Sequence, residues 1–385
     1  MDISHYFNPV DFSFFSINEK ELQKYSFGKT IEKYGDDSTL KNIRNYDVAL
    51  IGVHVDNGNW NEGAAPAPDK IREQLYKLTN LPGNHKIVDF GNLKQCKSKK
   101  EVLLALRDIV EYLNELNIVN IIIGGSQDLT VGICEAYKYK KYFTLSVADA
   151  FLDVKKGVEK FSPENYLTRI FKTIPSLFQF NLIAFQKHLV PFELIQKTIG
   201  VNQHVRLGLL RDNFSLVEPV LRNSDVLSFD TGAIKYTDAP GSKPKNPNGL
   251  RSEEACQLAK YAGLSSRLKT FGVFEMFPAD DDQELSSILS AEIIWYFLEG
   301  FINRQSEKEW DAENKVTYRV EINQLDKPLV FFQDTVTERW WLEIQSLSGE
   351  RVVVACSEEE YRRASSNEIP EIWLNYIQKI DELSK

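Results

Sequence analysis

Four acidic residues follow short apolar runs of this sequence, and they are Asp149, Asp153, Asp230 and Glu275. If the runs are parallel strands, ligands bind beyond their carboxyl ends, so these side chains are expected to face one crevice. Clustered carboxylates repel one another, and burying them unpaired costs several kcal/mol. They therefore need a cation, a basic partner or water, and a hard divalent metal ion is the natural suggestion. From position alone, however, Asp149 and Asp230 are favoured as helix N-caps.

The runs that precede these residues belong to a regular alternation of apolar and helical segments. The apolar runs are Val48 to Val53, Ile87 to Phe90, Val119 to Ile123, Phe143 to Val147, Asn181 to Phe185, Val205 to Leu209, Val226 to Phe229 and Thr270 to Phe274. Segments of helical period lie between most of them, and a long helix, Gln283 to Ile302, follows. This alternation is typical of βαβ units, so we predict a three-layer α/β/α fold with a mostly parallel, eight-stranded sheet.

The composition divides the chain into three parts. Residues 1–44 are aromatic and irregular, and we interpret them as a strap packed on the core in preference to a partner-binding arm. Residues 45–305 hold the alternating strands and helices. In residues 306–385, short strand-like runs with polar links predict a C-terminal antiparallel β element, followed by an amphipathic helix, Glu371 to Leu383.

The overall composition narrows the class of protein. With 43% hydrophobic and 26% charged residues among 385, the chain is globular in composition rather than disordered or fibrous. Its net charge of -9 argues against a general binder of nucleic acid or of anionic membranes. No stretch approaches the roughly 18 apolar residues of a membrane helix, and the N-terminus lacks a signal-peptide pattern. Four scattered cysteines without a Cys-x-x-Cys pair indicate reduced thiols and a cytoplasmic protein.

Four motifs occur in a fixed order along the chain. The first runs from Gly52 to Gly58 and continues from Asn61 to Arg72, and the second is Gly-Gly-Ser-Gln, Gly124 to Gln127. The third is Asp-Ala-Phe-Leu-Asp, Asp149 to Asp153, and the fourth is Ser-Phe-Asp-Thr-Gly, Ser228 to Gly232. In order and spacing they resemble the ureohydrolases, the family of arginase, agmatinase and formimidoylglutamase. Formimidoylglutamase-like sequences are the most similar in overall character.

The resemblance covers roughly residues 45 to 303 and implies an arginase-like fold. It also implies a centre of two manganese ions that bridge and activate a water, held by two histidines and four aspartates. Of those six positions, the ones that keep the aspartate are Asp149, Asp153 and Asp230, and the ones that differ are Gln127, Phe151 and Gly232. Glu275 matches the family's glutamate near the guanidinium-type group of the substrate, and it is the one candidate catalytic residue.

The replacements fall unevenly on the two implied metals. One metal retains four candidate ligands, namely Gln127, Asp149, Asp153 and Asp230. They suit at most one weakly held manganese, magnesium or calcium ion, or none. The second metal would need donors from Phe151 and Gly232, which have none, so a bimetallic centre is not expected. Losing the metal-bound hydroxide removes several kcal/mol of transition-state stabilisation, which argues against ordinary ureohydrolase turnover.

Few other residues are candidates for chemistry. His54 follows the first strand and Asp128 follows the second motif, so both are predicted to line the crevice, with a structural role favoured for His54. No G-x-S-x-G, G-x-G-x-x-G, P-loop or H-E-x-x-H signature is present in the sequence.

These observations favour a pseudoenzyme, in which an arginase-type fold serves as a binding or scaffolding protein. The alternatives are a divergent single-metal hydrolase of a linear amidine C–N bond, and a sensor of a small cationic molecule. A protein partner is expected, while nucleic acid and membrane insertion are not, and a homo-oligomer stays open. Trp340 and Trp341 adjoin on a predicted strand and so face opposite sides, which makes the outward one a candidate interface anchor.

Overall fold

The computed structural model describes residues 3–35, 43–55, 63–155, 160–198, 202–304, 314–346 and 349–383. The loop of the first motif, residues 56–62, lies outside the described residues, and so does the predicted boundary between residues 305 and 306. The remaining motif residues are all described, so the geometry of the acidic crevice can be followed from strand to side chain.

One large sheet forms the centre of the fold. Its ten strands are β1 (Phe7–Asn8), β2 (Glu32–Lys33), β3 (Val48–Val53), β4 (Ile87–Leu93), β5 (Val119–Gly124), β6 (Phe143–Ala148), β7 (Leu177–Phe185), β8 (His204–Arg206), β9 (Val226–Asp230) and β10 (Thr270–Phe274). The order is β1-β4-β3-β5-β10-β9-β6-β7-β8, with β2 also paired to β4. All pairs are parallel except that of β1 with β4. The predicted fold class is confirmed, and two short strands of the N-terminal part extend the eight expected ones.

Helices cover both faces of this sheet. They are α1 (Phe27–Thr30), α2 (Ala67–Lys77), α3 (Lys99–Glu115), α4 (Thr130–Glu135), α5 (Tyr166–Thr173), α6 (Phe192–Thr198), α7 (Leu207–Asp212), α8 (Val217–Arg222), α9 (Ser252–Leu264) and α10 (Leu285–Ile302). Helices α1, α2 and α7 to α10 pack into one apolar core, and α3 to α6 pack into the other. The sheet is therefore buried on both sides, which explains why its strands are apolar throughout.

Helix α3 shows how local sequence sets these elements. Ser98 caps its N-terminus by accepting the backbone N–H of Glu101, and acidic Glu101 lies in the first turn, where the helix dipole favours it. Apolar residues recur every three or four positions along the helix, so one side is buried against the sheet.

The predicted strand Val205 to Leu209 is only partly right. The strand ends at Arg206, and Leu207 begins α7. Leu207 and Leu210 are buried while Leu209 is exposed, which is the three-residue spacing of a helix face rather than the alternation of a strand. A short apolar run therefore misled the prediction at the edge of the sheet.

The N-terminal part packs against the core as a strap. Phe7 pairs with Leu93 of β4 and stacks on Phe90, with ring centroids 5.2 Å apart. Gly91 has a φ of 76°, and a Cβ there would lie 2.1 Å from the carbonyl oxygen of Asn8. The glycine thus lets the strap approach the sheet edge closely.

Helix α10 corrects one expectation from the sequence. Among the described helices it is the one that is long and apolar enough to span a membrane. However, 56% of this helix is buried inside the fold. It packs against α2 and α9, and Gly263 and Gly300 let α9 and α10 meet closely. These contacts are those of a core helix, which is apolar on all sides. By length and composition, the expectation that no stretch approaches a membrane helix is therefore wrong.

The C-terminal extension forms a second, four-stranded antiparallel sheet. Its elements are β11 (Lys315–Val320), β12 (Leu329–Asp334), β13 (Trp340–Gln345), β14 (Arg351–Cys356), α11 (Glu358–Ser365) and α12 (Glu371–Leu383). The predicted β element and final helix are confirmed, whereas α11 was not predicted. Helix α11 carries mostly charged residues and buries only Ala364 completely, so it lacks a strong apolar period.

The extension docks on the amino end of the large sheet. Asn223, which follows α8, pairs with the backbone of Ala355 in both directions at 2.8 Å. Arg222 donates to the carbonyl oxygens of Trp340 and Cys356 at 3.2 and 3.3 Å. These contacts precede β9 in the chain, so they lie at the sheet edge opposite the strand ends that carry the acidic motifs.

The structure corrects the expectation for the tryptophan pair. Trp340 lies in the core of the extension beside Tyr318 and Tyr361. Trp341 faces the other side, as the pleat requires, but the Arg222 guanidinium covers its ring at 4.4 Å. Both side chains are buried. Neither tryptophan is therefore available to anchor a partner, and Trp341 serves the contact between extension and main sheet.

We expect Asn223→Ala to lower the free energy of unfolding by about 2–3 kcal/mol, because it leaves two buried backbone groups of Ala355 without partners. Urea unfolding measures this change. Asn323→Ala, at an exposed position of the same extension, should stay within about 0.5 kcal/mol of wild type. Equal stabilities of the two variants would show that this contact does not hold the extension.

Candidate functional site

Four neighbouring strands place the acidic motifs at one edge of the sheet. Strands β5, β10, β9 and β6 are adjacent and parallel, so their carboxyl ends coincide. Residues 125–128 follow β5, Glu275 follows β10, Asp230 ends β9, and residues 149–153 follow β6. We call the group of Asp149, Asp153, Asp230 and Glu275 the carboxylate crevice.

The carboxyl groups of the crevice are coupled to one another. The interaction between Asp149 and Asp153 favours the ionised form of Asp149 and the protonated form of Asp153. Burial raises the pKa of Asp149 to about 6. Burial, followed by the charge of Asp149, also raises the pKa of Asp153 and of Asp230. The crevice is therefore only partly ionised near neutral pH.

Asp149 and Asp230 also act as turn and cap residues. Oδ1 of Asp149 accepts the backbone N–H of Phe151 at 2.9 Å, and Oδ1 of Asp230 accepts that of Gly232 at 2.6 Å. Asp230 thus caps the helical turn Thr231–Ala233, as its position favoured, whereas no helix follows Asp149 directly, so its bond closes a local turn and the helix-cap prediction for Asp149 is wrong. Among the described residues, no group of three or more His, Cys, Asp or Glu side chains is arranged to hold a metal ion. A weak single-ion site at Asp149, Asp153 and Asp230 stays a prediction.

Two of the positions that differ from the implied ligand set have specific surroundings. Gln127 is fully buried, its Nε2 donates to Oγ of Ser228 at 3.2 Å, and its Oε1 has no hydrogen-bond partner in the described part of the chain. At Gly232, a Cβ would lie 2.6 Å from the carbonyl oxygen of Lys243 and 2.9 Å from Oδ1 of Asp230. The backbone of Lys243 thus occupies space that a longer side chain at position 232 would need. The third position, Phe151, is half-buried directly beyond β6.

Glu275 forms hydrogen bonds with the turns that follow β5 and β9. Its backbone has a φ of 63°, which is uncommon for a residue with a side chain. Its N–H donates to the carbonyl of Gly125 at 2.9 Å, and its Oε1 accepts the N–H of Gln127 at 2.6 Å. Its carbonyl oxygen accepts the hydroxyl of Thr231 at 2.7 Å. Glu275 is therefore fixed in place. Its carboxylate is bonded by the turn after β5, and its backbone is bonded by the turns after β5 and β9.

His54 belongs to a separate, mostly buried network between β3, α2 and β4. Its Nε2 lies 2.9 Å from Asp69, whose other oxygen accepts from Arg72 at 3.0 Å and Asn92 at 2.9 Å. Burial alone would raise the pKa of Asp69, but the hydrogen bond from His54 and the charge of Arg72 hold it below its ordinary value. Gly52 is required here, because a Cβ would lie 1.9 Å from Oδ1 of Asn92. His54 is thus paired with Asp69, and its predicted place at the crevice stays a prediction.

Two side chains that the sequence did not single out adjoin the crevice. Lys99, the first residue of α3, forms an ion pair with buried Asp128. The hydroxyl of Tyr166, which begins α5, is buried without a hydrogen-bond partner among the described residues. Burial and then the charges of Asp153, Asp149 and Asp230 raise its pKa, which places it beside them. Neither residue lies in a motif, so only the folded chain could reveal them.

Known proteins with similar sequences identify the family of this chain. The sequence model of the arginase family matches residues 46–299, which is more than half of the chain. The chain belongs to the arginase family. This arginase-family chain is 23% identical over 303 residues to formimidoylglutamase of Streptococcus gordonii, which covers 72% of the chain and 92% of that relative. It is 24% identical over 293 residues to that of Streptococcus pyogenes, with 69% and 88% covered.

Solved structures give the same fold for this arginase-family chain. Formimidoylglutamase from Bacillus subtilis has a TM-score of 0.65 at 17% identity and covers 76% of this chain and 95% of its own. Formiminoglutamase of Trypanosoma cruzi, solved with Mn²⁺, has a TM-score of 0.65 at 17% identity, with 73% and 99% covered. The resemblance inferred from the four motifs is confirmed at the level of family and fold.

A pH-dependent stability follows from the crevice. Asp149→Asn keeps an oxygen for the N–H of Phe151 but removes a group whose pKa is about 6 when folded against 3.8 ordinarily. Wild type should therefore lose stability as pH rises through this window, and the variant should lose less, because the contribution of Asp149 is absent while those of Asp153 and Asp230 remain. Above pH ~6 we expect the variant to be more stable by up to about 3 kcal/mol, with the difference vanishing towards pH ~4.

Urea unfolding between pH ~4 and ~8 in metal-free buffer measures this difference. Asp326→Asn, a matched change at an exposed position, should follow wild type at every pH. A stability difference between Asp149→Asn and wild type that does not change with pH would contradict the raised pKa.

Proposed function

We propose that this chain is a non-hydrolytic member of the arginase family that acts as a binding or scaffolding protein, without a two-manganese centre. Its carboxylate crevice keeps three of the six ligand positions implied by the family resemblance. The other three positions hold Gln127, Phe151 and Gly232.

The contact between Gly232 and Lys243 is the observation that carries this proposal. In the resemblance, an aspartate at position 232 supplies a ligand to the second metal. Here a Cβ at that position would already lie 2.6 Å from the backbone carbonyl of Lys243, which is closer than real Cβ contacts allow. A side chain at position 232 would therefore require the backbone to shift, and neither Gly232 nor Phe151 has a side-chain donor for a second ion, which supports the proposal.

The retained aspartates support the same conclusion. Asp149 and Asp230 each direct one carboxylate oxygen to a backbone N–H, and burial raises the pKa of both. A ligand set for a hard cation would need those oxygens deprotonated and turned towards one point. The single-metal hydrolase of the sequence analysis remains a weaker candidate for this reason.

A cationic small molecule is the second candidate for recognition in the crevice. Oε1 of Gln127 and the hydroxyl of Tyr166 are buried acceptors without partners in the described part of the chain, and Tyr166 adjoins three aspartates. Buried acceptors are normally satisfied, and an ammonium or amidinium group carries the N–H donors that would do so. This observation favours a ligand-sensing role within the same non-hydrolytic protein.

Metal analysis tests the non-hydrolytic proposal. After dialysis against excess manganese and gel filtration, we expect fewer than two ions per chain and no detectable ornithine, putrescine or glutamate release from arginine, agmatine or formiminoglutamate. The Bacillus subtilis formimidoylglutamase, treated identically, is the control for metal loading and assay. Two retained ions per chain, or turnover above background, would refute the proposal.

The restored variant Gln127→His/Phe151→His/Gly232→Asp makes the test sharper. Because position 232 lacks room for a side chain, we expect this variant to remain without turnover and to be less stable than Gln127→His/Phe151→His. Full activity in the triple variant would show that side-chain identity alone separates this chain from an active enzyme.

Ligand recognition has its own measurement. A ligand present at about 100 times its dissociation constant stabilises the folded state by about 2.7 kcal/mol, which raises the melting temperature by several degrees. We expect agmatine or methylguanidinium to do so, and Asp230→Asn/Glu275→Gln to abolish the shift. Sodium chloride of equal ionic strength controls for screening, and equal shifts with the salt would exclude a specific site.

A further inference from the structure

Lys99 brings a positive charge to the turn that follows β5. Its Nζ lies 3.2 Å from Oγ of Ser126 and forms an ion pair with Asp128, whose side chain is fully buried. Oγ of Ser126 donates to the other oxygen of Asp128 at 2.6 Å. Ser126 and Asp128 flank Gln127, so the ammonium is bound on both sides of the position where the family resemblance implies a metal-binding histidine.

The charge of Lys99 also reaches the carboxylate crevice. The Lys99 side chain is only 20% exposed, and burial lowers its pKa, while Asp128 and then Glu275 act in the opposite direction. Glu275 in turn interacts with Asp153 and Asp230. Glu275 is thus the carboxylate through which the ammonium and the aspartates are electrostatically connected.

Lys99 is held in this place by packing as well as by charge. It begins α3, so its backbone position is set by a long helix that packs in one of the two main cores. Its Nζ lies 5.5 Å from the ring centroid of Phe161, which covers it from the segment before α5. A charge fixed in this way persists whether or not a ligand is bound.

We infer that Lys99 is a built-in cation of the site, which offsets part of the crevice's negative charge and lowers its affinity for divalent cations. This inference rests on the proposed non-hydrolytic function, because it explains how the crevice is stable without the second metal. An ammonium held near carboxylates repels an incoming divalent ion and weakens the local negative potential. Lys99 is therefore a residue that sets cation affinity, not a catalytic residue.

Manganese binding by single and double variants tests the inference. We expect Lys99→Met to bind Mn²⁺ at least about tenfold more tightly than wild type, because one positive charge is removed from a poorly solvated site. Asp128→Asn removes the negative partner instead and should bind more weakly than wild type. The double variant Lys99→Met/Asp128→Asn restores the net charge and should return towards the wild-type affinity.

The controls separate local from general charge effects. Lys100→Met has the same change in net charge at the next, exposed position of α3 and should bind within about twofold of wild type, since exposed charges are screened. Lys99→Arg keeps the positive charge and should also bind Mn²⁺ within about twofold of wild type. Free Mn²⁺ is measured by its electron paramagnetic resonance signal, and circular dichroism verifies that each variant is folded.

The outcomes distinguish this inference from the proposed function. If Lys99→Met binds no more tightly than Lys100→Met, or if no variant binds Mn²⁺ up to millimolar concentration, Lys99 does not set cation affinity and the inference is wrong. If Lys99→Met fails to fold, an Asp128→Asn affinity equal to that of wild type refutes it. Two tightly held ions in wild type would instead overturn the non-hydrolytic proposal, whatever the ratio between variants.

Discussion

Four carboxyl groups lie together at the carboxyl edge of the large sheet. Burial disfavours the ionised forms of Asp149, Asp153 and Asp230, and the charges of neighbouring carboxylates add to this effect at Asp153 and Asp230. Every local feature of the site lessens this cost. Asp149 and Asp230 each accept a backbone N–H, and Glu275 accepts another from the turn after β5. In a metal-bound relative, cations would supply the compensation. Here the polypeptide itself provides much of it.

In the part of the chain that the structure describes, the C-terminal extension contacts the opposite edge of the sheet. Its contacts run through Arg222, Asn223 and Trp341 at the amino end of the strands, a full strand length from Asp230. The described strands and helices of the extension therefore do not form a lid over the crevice. It stabilises the opposite end of the fold, and any ligand or partner of the crevice approaches from the other side.

The sequence predicted the strands of the sheet well because long apolar runs leave little choice of structure. It also predicted that the acidic residues after β5, β6, β9 and β10 would share one edge, since the carboxyl ends of parallel strands coincide. It failed where tertiary contacts decide. Lys99 lies far from the motifs in sequence, the buried amide of Gln127 is oriented by Ser228, and Trp341 is covered by an arginine from another element. No local pattern encodes those contacts.

The paired hydrogen bonds of Asn223 have a consequence for assembly. Its side-chain amide donates to and accepts from Ala355 just as a neighbouring strand would. One residue thus occupies part of the outer edge of β14, where an unprotected sheet can recruit strands from other molecules and grow into aggregates. The strap of β1 protects the β4 edge of the large sheet in the same sense. Asn223 thus protects one position of β14 from strand addition, and β1 protects the part of β4 that it pairs with.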